Sequence, residues 1–186
     1  MTAAYEVLLI GGASGVGKST VGREVSELLR RRGTAHCYVE GDLLDQIHPA
    51  PDGDPDRAAI TERNLASVWA NYTALGQHRL VYTNTVSILD LPLIHRAMGG
   101  GGTSGTSGGG DAVIRTTCVL LTAREATVRE RLARREIGSQ LAVHIERSRW
   151  AAAVLERGAP PGTVRIATDG RSVPWIAQRV VEAAAW

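Results

Sequence analysis

The sequence predicts an α/β domain built on a parallel, doubly wound sheet, and three observations carry that expectation. Five strand-like runs alternate with six helical ones along 186 residues. A glycine-rich loop joins the first strand to the first helix. No linker divides the chain, and its 44% hydrophobic content suffices for one substantial core. A single domain over residues 1–186 is therefore expected.

The strands are read at Tyr5 to Ile10, Ala35 to Glu40, Arg79 to Thr85, Ile114 to Leu121 and Thr163 to Ala167. The first contains the unbroken apolar run Val7-Leu8-Leu9-Ile10, the pattern of a strand covered on both faces. Helices are read at Ser19 to Arg32, Arg57 to Leu75, Leu91 to Met98, Ala126 to Arg135, Gln140 to Glu156 and Val173 to Ala185. Ser172 stands at the N-cap of the last helix. Arg30-Arg31-Arg32 closes the first, where positive charge complements the helix dipole. The run 99–110, GGGGTSGTSGGG, reads as a flexible tether leading into a strand, on the edge opposite to bound ligands.

One lysine stands against twenty arginines in this composition. It is Lys18, inside Gly12-Ala13-Ser14-Gly15-Val16-Gly17-Lys18-Ser19, a complete GxxxxGKS loop placed between strand and helix. A compact ammonium on a slender stem can lie along such a loop and touch phosphate oxygens, which a planar guanidinium cannot do. The stretch from Gly12 to Thr20 is therefore assigned to a nucleotide. Backbone N–H groups around Gly15 to Ser19 would cradle phosphates, Lys18 would reach the β and γ oxygens, and the Ser19 hydroxyl would ligate Mg²⁺. The helix starting there adds its positive dipole end.

Asp42 follows the second strand in Tyr38-Val39-Glu40-Gly41-Asp42 and should face those phosphates. An acid at that place accepts the proton of an acceptor hydroxyl or holds water of a Mg²⁺ shell, which makes Asp42 both a catalytic and a metal candidate. A helix N-cap is the competing role. The segment 43–78 starts on the ligand side and is expected to hold the acceptor. It carries Asp45, Asp52, Asp54 and Asp56, a density of acid that suits a neutral or cationic hydroxyl compound better than an anionic one. No strand ends in the apolar run plus Asp of a motor ATPase. The Asn-Lys-x-Asp element of guanine readers is impossible when Lys18 is the sole lysine.

With these residues in hand, the chain resembles the small-molecule kinases of the P-loop superfamily, such as gluconate, shikimate and adenylylsulfate kinases and chloramphenicol phosphotransferase. The matching parts are the Gly12 to Ser19 loop, Glu40-Gly41-Asp42, Arg131-Leu132-Ala133-Arg134-Arg135, His144 to Ser148 and Ala167 to Arg171. The resemblance implies a three-layer P-loop NTPase fold, nucleoside-monophosphate-kinase-like, with a five-stranded parallel sheet, helices on both faces and a short arginine-bearing lid over 129–142. It implies ATP as donor, Asp42 as the acid at the acceptor, Arg131 on the base, Arg135 on the phosphates, and Asp169, Gly170 and Arg171 in a loop against adenine. Arg131 and Arg135 lie one helical turn apart and can face one ligand. Gly138 offers a flexible point after them. Gluconate kinases carry His-Pro close to the Gly-Asp element; here His48-Pro49 comes later, so gluconate itself is not implied.

The net charge of +2 is small and the arginines are dispersed, so no nucleic-acid partner is expected. With neither a signal-type start nor an apolar run of membrane-spanning length, a cytoplasmic protein without a membrane partner is expected. Cys37 and Cys118 read as buried free thiols, and Trp69 and Tyr72 as packing residues on one helix face. The expected activity is ATP- and Mg²⁺-dependent phosphoryl transfer to a small-molecule acceptor by a monomer or homodimer. A nucleoside monophosphate kinase and an ATP-binding sequestering or switch protein are the alternatives.

Overall fold

A computed structural model describes residues 4–100, 112–135 and 141–186. The elements run β1 (Ala4–Gly11), α1 (Lys18–Arg31), β2 (Cys37–Glu40), α2 (Ala58–Ala74), β3 (Arg79–Thr83), α3 (Leu91–Ala97), β4 (Val113–Thr122), α4 (Glu125–Arg135), α5 (Leu141–Gly158), β5 (Val164–Ala167) and α6 (Val173–Ala184). Single 3₁₀ turns at Gly41–Leu43 and Ser87–Leu89 follow β2 and β3. Most of the run 99–110, Gly138 and the centre of the segment 129–142 lie outside the described residues.

All strand pairs are parallel, in the order β2-β3-β1-β4-β5. The chain leaves β1 for one edge of the sheet, returns to β3, then crosses to β4 and β5. That reversal makes the carboxyl end of β1 the switch point at which open parallel sheets bind ligands. The Gly12 to Ser19 loop begins there.

Alternate residues of β1 feed two cores. Leu8 and Ile10 join Val21, Val25 and Leu29 of α1 and Ile176, Val180 and Val181 of α6. Val7 and Leu9 face Leu65 and Trp69 of α2 and Leu93 and Ile94 of α3. The sheet is thus the middle of three layers, and its central strand is buried on both sides. Trp69 packs edge-on against Tyr5, with ring centroids 5.1 Å apart, which is the packing role expected for it. Cys37 and Cys118 are free thiols. Burial pushes the Cys37 thiol up to about 12, leaving it protonated and inert at neutral pH.

β2 and β3 are shorter than the sequence predicts, each because a side chain takes over from the ladder. β2 starts at Cys37 because His36 Nδ1 bonds the Thr34 carbonyl at 2.8 Å, closing a turn. β3 stops at Thr83 because the Asn84 side chain bonds Asp42 and the Val86 N–H. α2 is likewise capped from outside its predicted start. Asp54 accepts from Ala59 N and Ile60 N at 3.1 and 3.0 Å, so one acid of the segment 43–78 is spent on a helix end.

Candidate active site

The loop after β1 reaches α1 through Gly17, whose φ of 103° lies in the left-handed region. No side chain caps α1 and no acid occupies its first turn, so the first amides of the helix are left for a ligand. Lys18 is 8% exposed and folds back along the loop, its Nζ donating to the Ala13 carbonyl at 3.3 Å. The slender ammonium stem allows this burial.

Asp42 arrives from the end of β2, the edge strand beyond β3, by a tight turn. A β-carbon on Gly41 would run into the Tyr82 phenol, so glycine is what lets the chain pass over β3 and present Asp42. Among the described residues the Asp42 carboxylate caps no helix. Its Oδ1 accepts from Asn84 Nδ2 at 2.9 Å and from Thr85 N at 3.4 Å, both at the end of β3.

These parts meet in one cavity of about 370 Å³, lined by Ser14, Gly15, Gly17, Lys18, Ser19, Thr20, Asp42, Arg131 and Leu132. The donor set fits a polyphosphate: uncapped amides, one buried ammonium and a guanidinium in a single concavity. Among the described residues no group of three His, Cys, Asp or Glu side chains could hold a metal alone. A Mg²⁺ ion would then be held by the Ser19 hydroxyl, phosphate oxygens and water, with Asp42 on the same wall.

Glu40, which the sequence did not single out as a site residue, stands behind Ser19. Its Oε1 accepts from Arg23 Nε and Nη2 at 3.0 and 2.8 Å. Burial alone would raise its pKa, yet hydrogen bonds from Arg23, Ser19 and Tyr38 hold the carboxyl below the usual range. Its place at the end of β2, two residues before Asp42, was the available signal. Ser148 was also missed as a contact: its hydroxyl donates to the Ser14 carbonyl at 2.8 Å, pinning α5 to the loop.

Arg131 joins two parts of the site. Nη1 donates to the Val16 carbonyl at 3.1 Å and to the Thr168 hydroxyl at 2.9 Å, and Nη2 to the Thr168 carbonyl at 3.2 Å. Arg135 is the last residue of α4, one turn further on. Asp169 turns toward α4. Its carboxylate takes the Thr127 hydroxyl at 2.6 Å and the Arg124 N–H at 3.1 Å from both oxygens, fixing the start of that helix. Gly170 follows with φ 63°, and the Arg171 guanidinium lies 4.8 Å from the centre of the Trp175 ring. The structure therefore gathers Lys18, Ser19, Asp42 and Arg131 in one cavity and sets the 168–171 loop against the helix that carries Arg131. A second cavity of about 390 Å³ lies between α4, α5 and the end of β4; neither Lys18 nor Asp42 lines it.

The fold is that of solved P-loop small-molecule kinases. The gluconokinase from Sinorhizobium meliloti 1021 matches with a TM-score of 0.60 and 18% identity, over 100% of this chain and 94% of that one. The tunicamycin resistance protein of Deinococcus radiodurans matches at 0.55 and 18% identity, over 96% of this chain and 94% of its own. The Mycobacterium tuberculosis APS kinase, solved with AMPPNP and APS, matches at 0.53 and 18% identity over the full length of both chains. No protein-family model matches the chain, and no curated protein matches it.

Proposed function

We propose that this protein transfers the γ-phosphoryl group of ATP to a hydroxyl of a small molecule. The observation that carries the reading is the shared cavity, in which Lys18 and Ser19 of the loop face Asp42 from the end of β2. In this reading the loop from Gly12 to Thr20 holds the phosphates, and Lys18, Arg131 and Arg135 neutralise charge that develops on the transferred group. Asp42 orients the acceptor hydroxyl and takes its proton. Asp169, Gly170 and Arg171 form the adenine side, with Asp169 acting through the start of α4. A Mg²⁺ ion, held from the Ser19 hydroxyl, would offset the charge of the phosphates.

The acceptor is a neutral or cationic hydroxyl compound held by the segment 43–78. Solved neighbours of this fold include a shikimate kinase in complex with shikimate and an APS kinase in complex with APS, which supports a small molecule as acceptor. Labelled ATP and Mg²⁺ incubated with a panel of sugars, amino alcohols, antibiotics and nucleoside monophosphates test the reading. Label should enter at least one hydroxyl compound, and Asp42→Asn should abolish that transfer while ATP still binds. A panel without any labelled product overturns it, and labelling confined to nucleoside monophosphates turns it into nucleotide phosphorylation.

A further inference from the structure

We propose that Asn84 is the positioning residue for Asp42 and determines which carboxylate oxygen meets the acceptor. The proposal rests on the phosphotransferase reading above. Asn84 stands where β3 stops, and its surroundings belong to the phosphate loop as much as to the strand. Its backbone N–H donates to the Ile10 carbonyl at 3.3 Å, and the Thr85 carbonyl accepts from Gly12 N at 3.2 Å. Residues 84 and 85 are thereby fixed to the end of β1 and to the first residue of the loop.

The orientation of the Asn84 amide follows from its partners. Its Oδ1 accepts from Val86 N at 2.9 Å, a role only the oxygen can fill. The amide nitrogen must then point the other way, where Nδ2 donates to Asp42 Oδ1 at 2.9 Å. Thr85 N reaches that same oxygen at 3.4 Å. Both donors fall on Oδ1, and among the described residues Oδ2 accepts no hydrogen bond.

A carboxylate held by two donors on one oxygen cannot turn about its bond without losing both. Oδ2 therefore keeps its lone pairs for the incoming hydroxyl. In the transfer step the acceptor oxygen bonds to the γ-phosphorus, the bond from that phosphorus to the bridging oxygen breaks, and ADP leaves. The hydroxyl proton passes to Oδ2. The path from loop to acid runs Gly12, Thr85, Asn84, Asp42, so the distance between acid and phosphates is set without the long segment that follows Asp42.

The test needs no identified acceptor, because water takes the acceptor's place in slow hydrolysis of Mg·ATP. Asn84→Ala removes donor and turn together; Asn84→Asp keeps an oxygen for Val86 N, but removes the donor and sets a second carboxylate against Asp42. Both should lower kcat for phosphate release about 10- to 100-fold, the usual cost of a misplaced catalytic group, with KM for ATP within about twofold. In an Asp42→Asn background neither should add a further loss, since Asn84 acts through Asp42. Unchanged kcat in both variants overturns the proposal, as does a raised KM at constant kcat or an additive loss in the double variants. If Asp42→Asn itself leaves hydrolysis unchanged, the phosphotransferase reading falls too. If Asp42→Asn lowers hydrolysis and the Asn84 variants do not, the positioning role alone falls.

Discussion

The Arg131 guanidinium grips Thr168 at two points, its hydroxyl at 2.9 Å and its carbonyl at 3.2 Å, while the same side chain reaches the Val16 carbonyl at 3.1 Å. A residue of α4 thus joins the phosphate loop to the loop after β5. Thr168 is 1% exposed, so its end of the contact is buried. Removing the guanidinium leaves buried carbonyls short of a donor, at a cost of about 1–3 kcal/mol. Arg131→Ala should weaken binding of a non-hydrolysable ATP analogue about tenfold or more and lower Tm, read by titration calorimetry and thermal melts. Thr168→Val, which removes one acceptor and keeps the shape, should do much less. Full affinity in Arg131→Ala would leave Arg131 as a structural tie alone.

Lys18 yields a sharper outcome, because the composition offers a natural replacement that the geometry refuses. The side chain is 8% exposed and lies along the loop toward Ala13, a course that suits a slender ammonium stem and not a planar fork. Lys18→Arg keeps the charge and should nonetheless be no better than Lys18→Ala. Both should lose about 100-fold or more in turnover, the usual cost of one oriented donor. Recovery of a tenth of the activity by Lys18→Arg would show that charge matters and shape does not.

These two residues also mark what the sequence made legible. The loop is contiguous, so its glycines, Lys18 and Ser19 could be read with their context, and alternating strands and helices foretold the parallel sheet. Asp42 was legible because a strand end and a glycine precede it. The contacts that hold it, Asn84 and Thr85, lie 42 and 43 residues away, and no local periodicity announces them. The same holds for Ser148 on Ser14, separated by 134 residues. Asp169 entered as part of a nucleotide loop through the family resemblance, and the bond from its carboxylate to α4 across 42 residues is a contact that no local pattern announces. Local pattern names the residues; only packing tells which way they point.

Gly41 sets the approach of Asp42, so a single methyl group should be enough to disturb it. An added β-carbon would overlap the Tyr82 hydroxyl and ring, and Tyr82 is 1% exposed with no space to retreat. Gly41→Ala should therefore lower turnover about 100-fold through displacement of Asp42, while ATP affinity stays close to that of the parent protein. Adding Tyr82→Phe removes the hydroxyl from the overlap and should restore part of the loss. Steady-state kinetics on the single and double variants decide this, and an undiminished Gly41→Ala would mean that β2 shifts freely without moving the acid.

Asp169 makes the stability of the α4 start depend on pH, with a definite sign. The Thr127 hydroxyl chiefly lowers its pKa, burial opposes this, and the Arg124 N–H and guanidinium add to the lowering. A carboxyl depressed in the folded state contributes stability while it is ionised, above the unfolded value of about 4. That contribution disappears as pH falls through the still lower folded value. Asp169→Asn, which keeps one acceptor and loses the charge, should melt below the parent protein at neutral pH. The gap should stay level from about pH 7 to 5 and close below about pH 4, because protonation then makes the parent resemble the variant. Calorimetric melts across that range supply the comparison. A gap that persists undiminished in acid would show that the Thr127 bond works without the charge, and that the link between α4 and the 168–171 loop rests on shape.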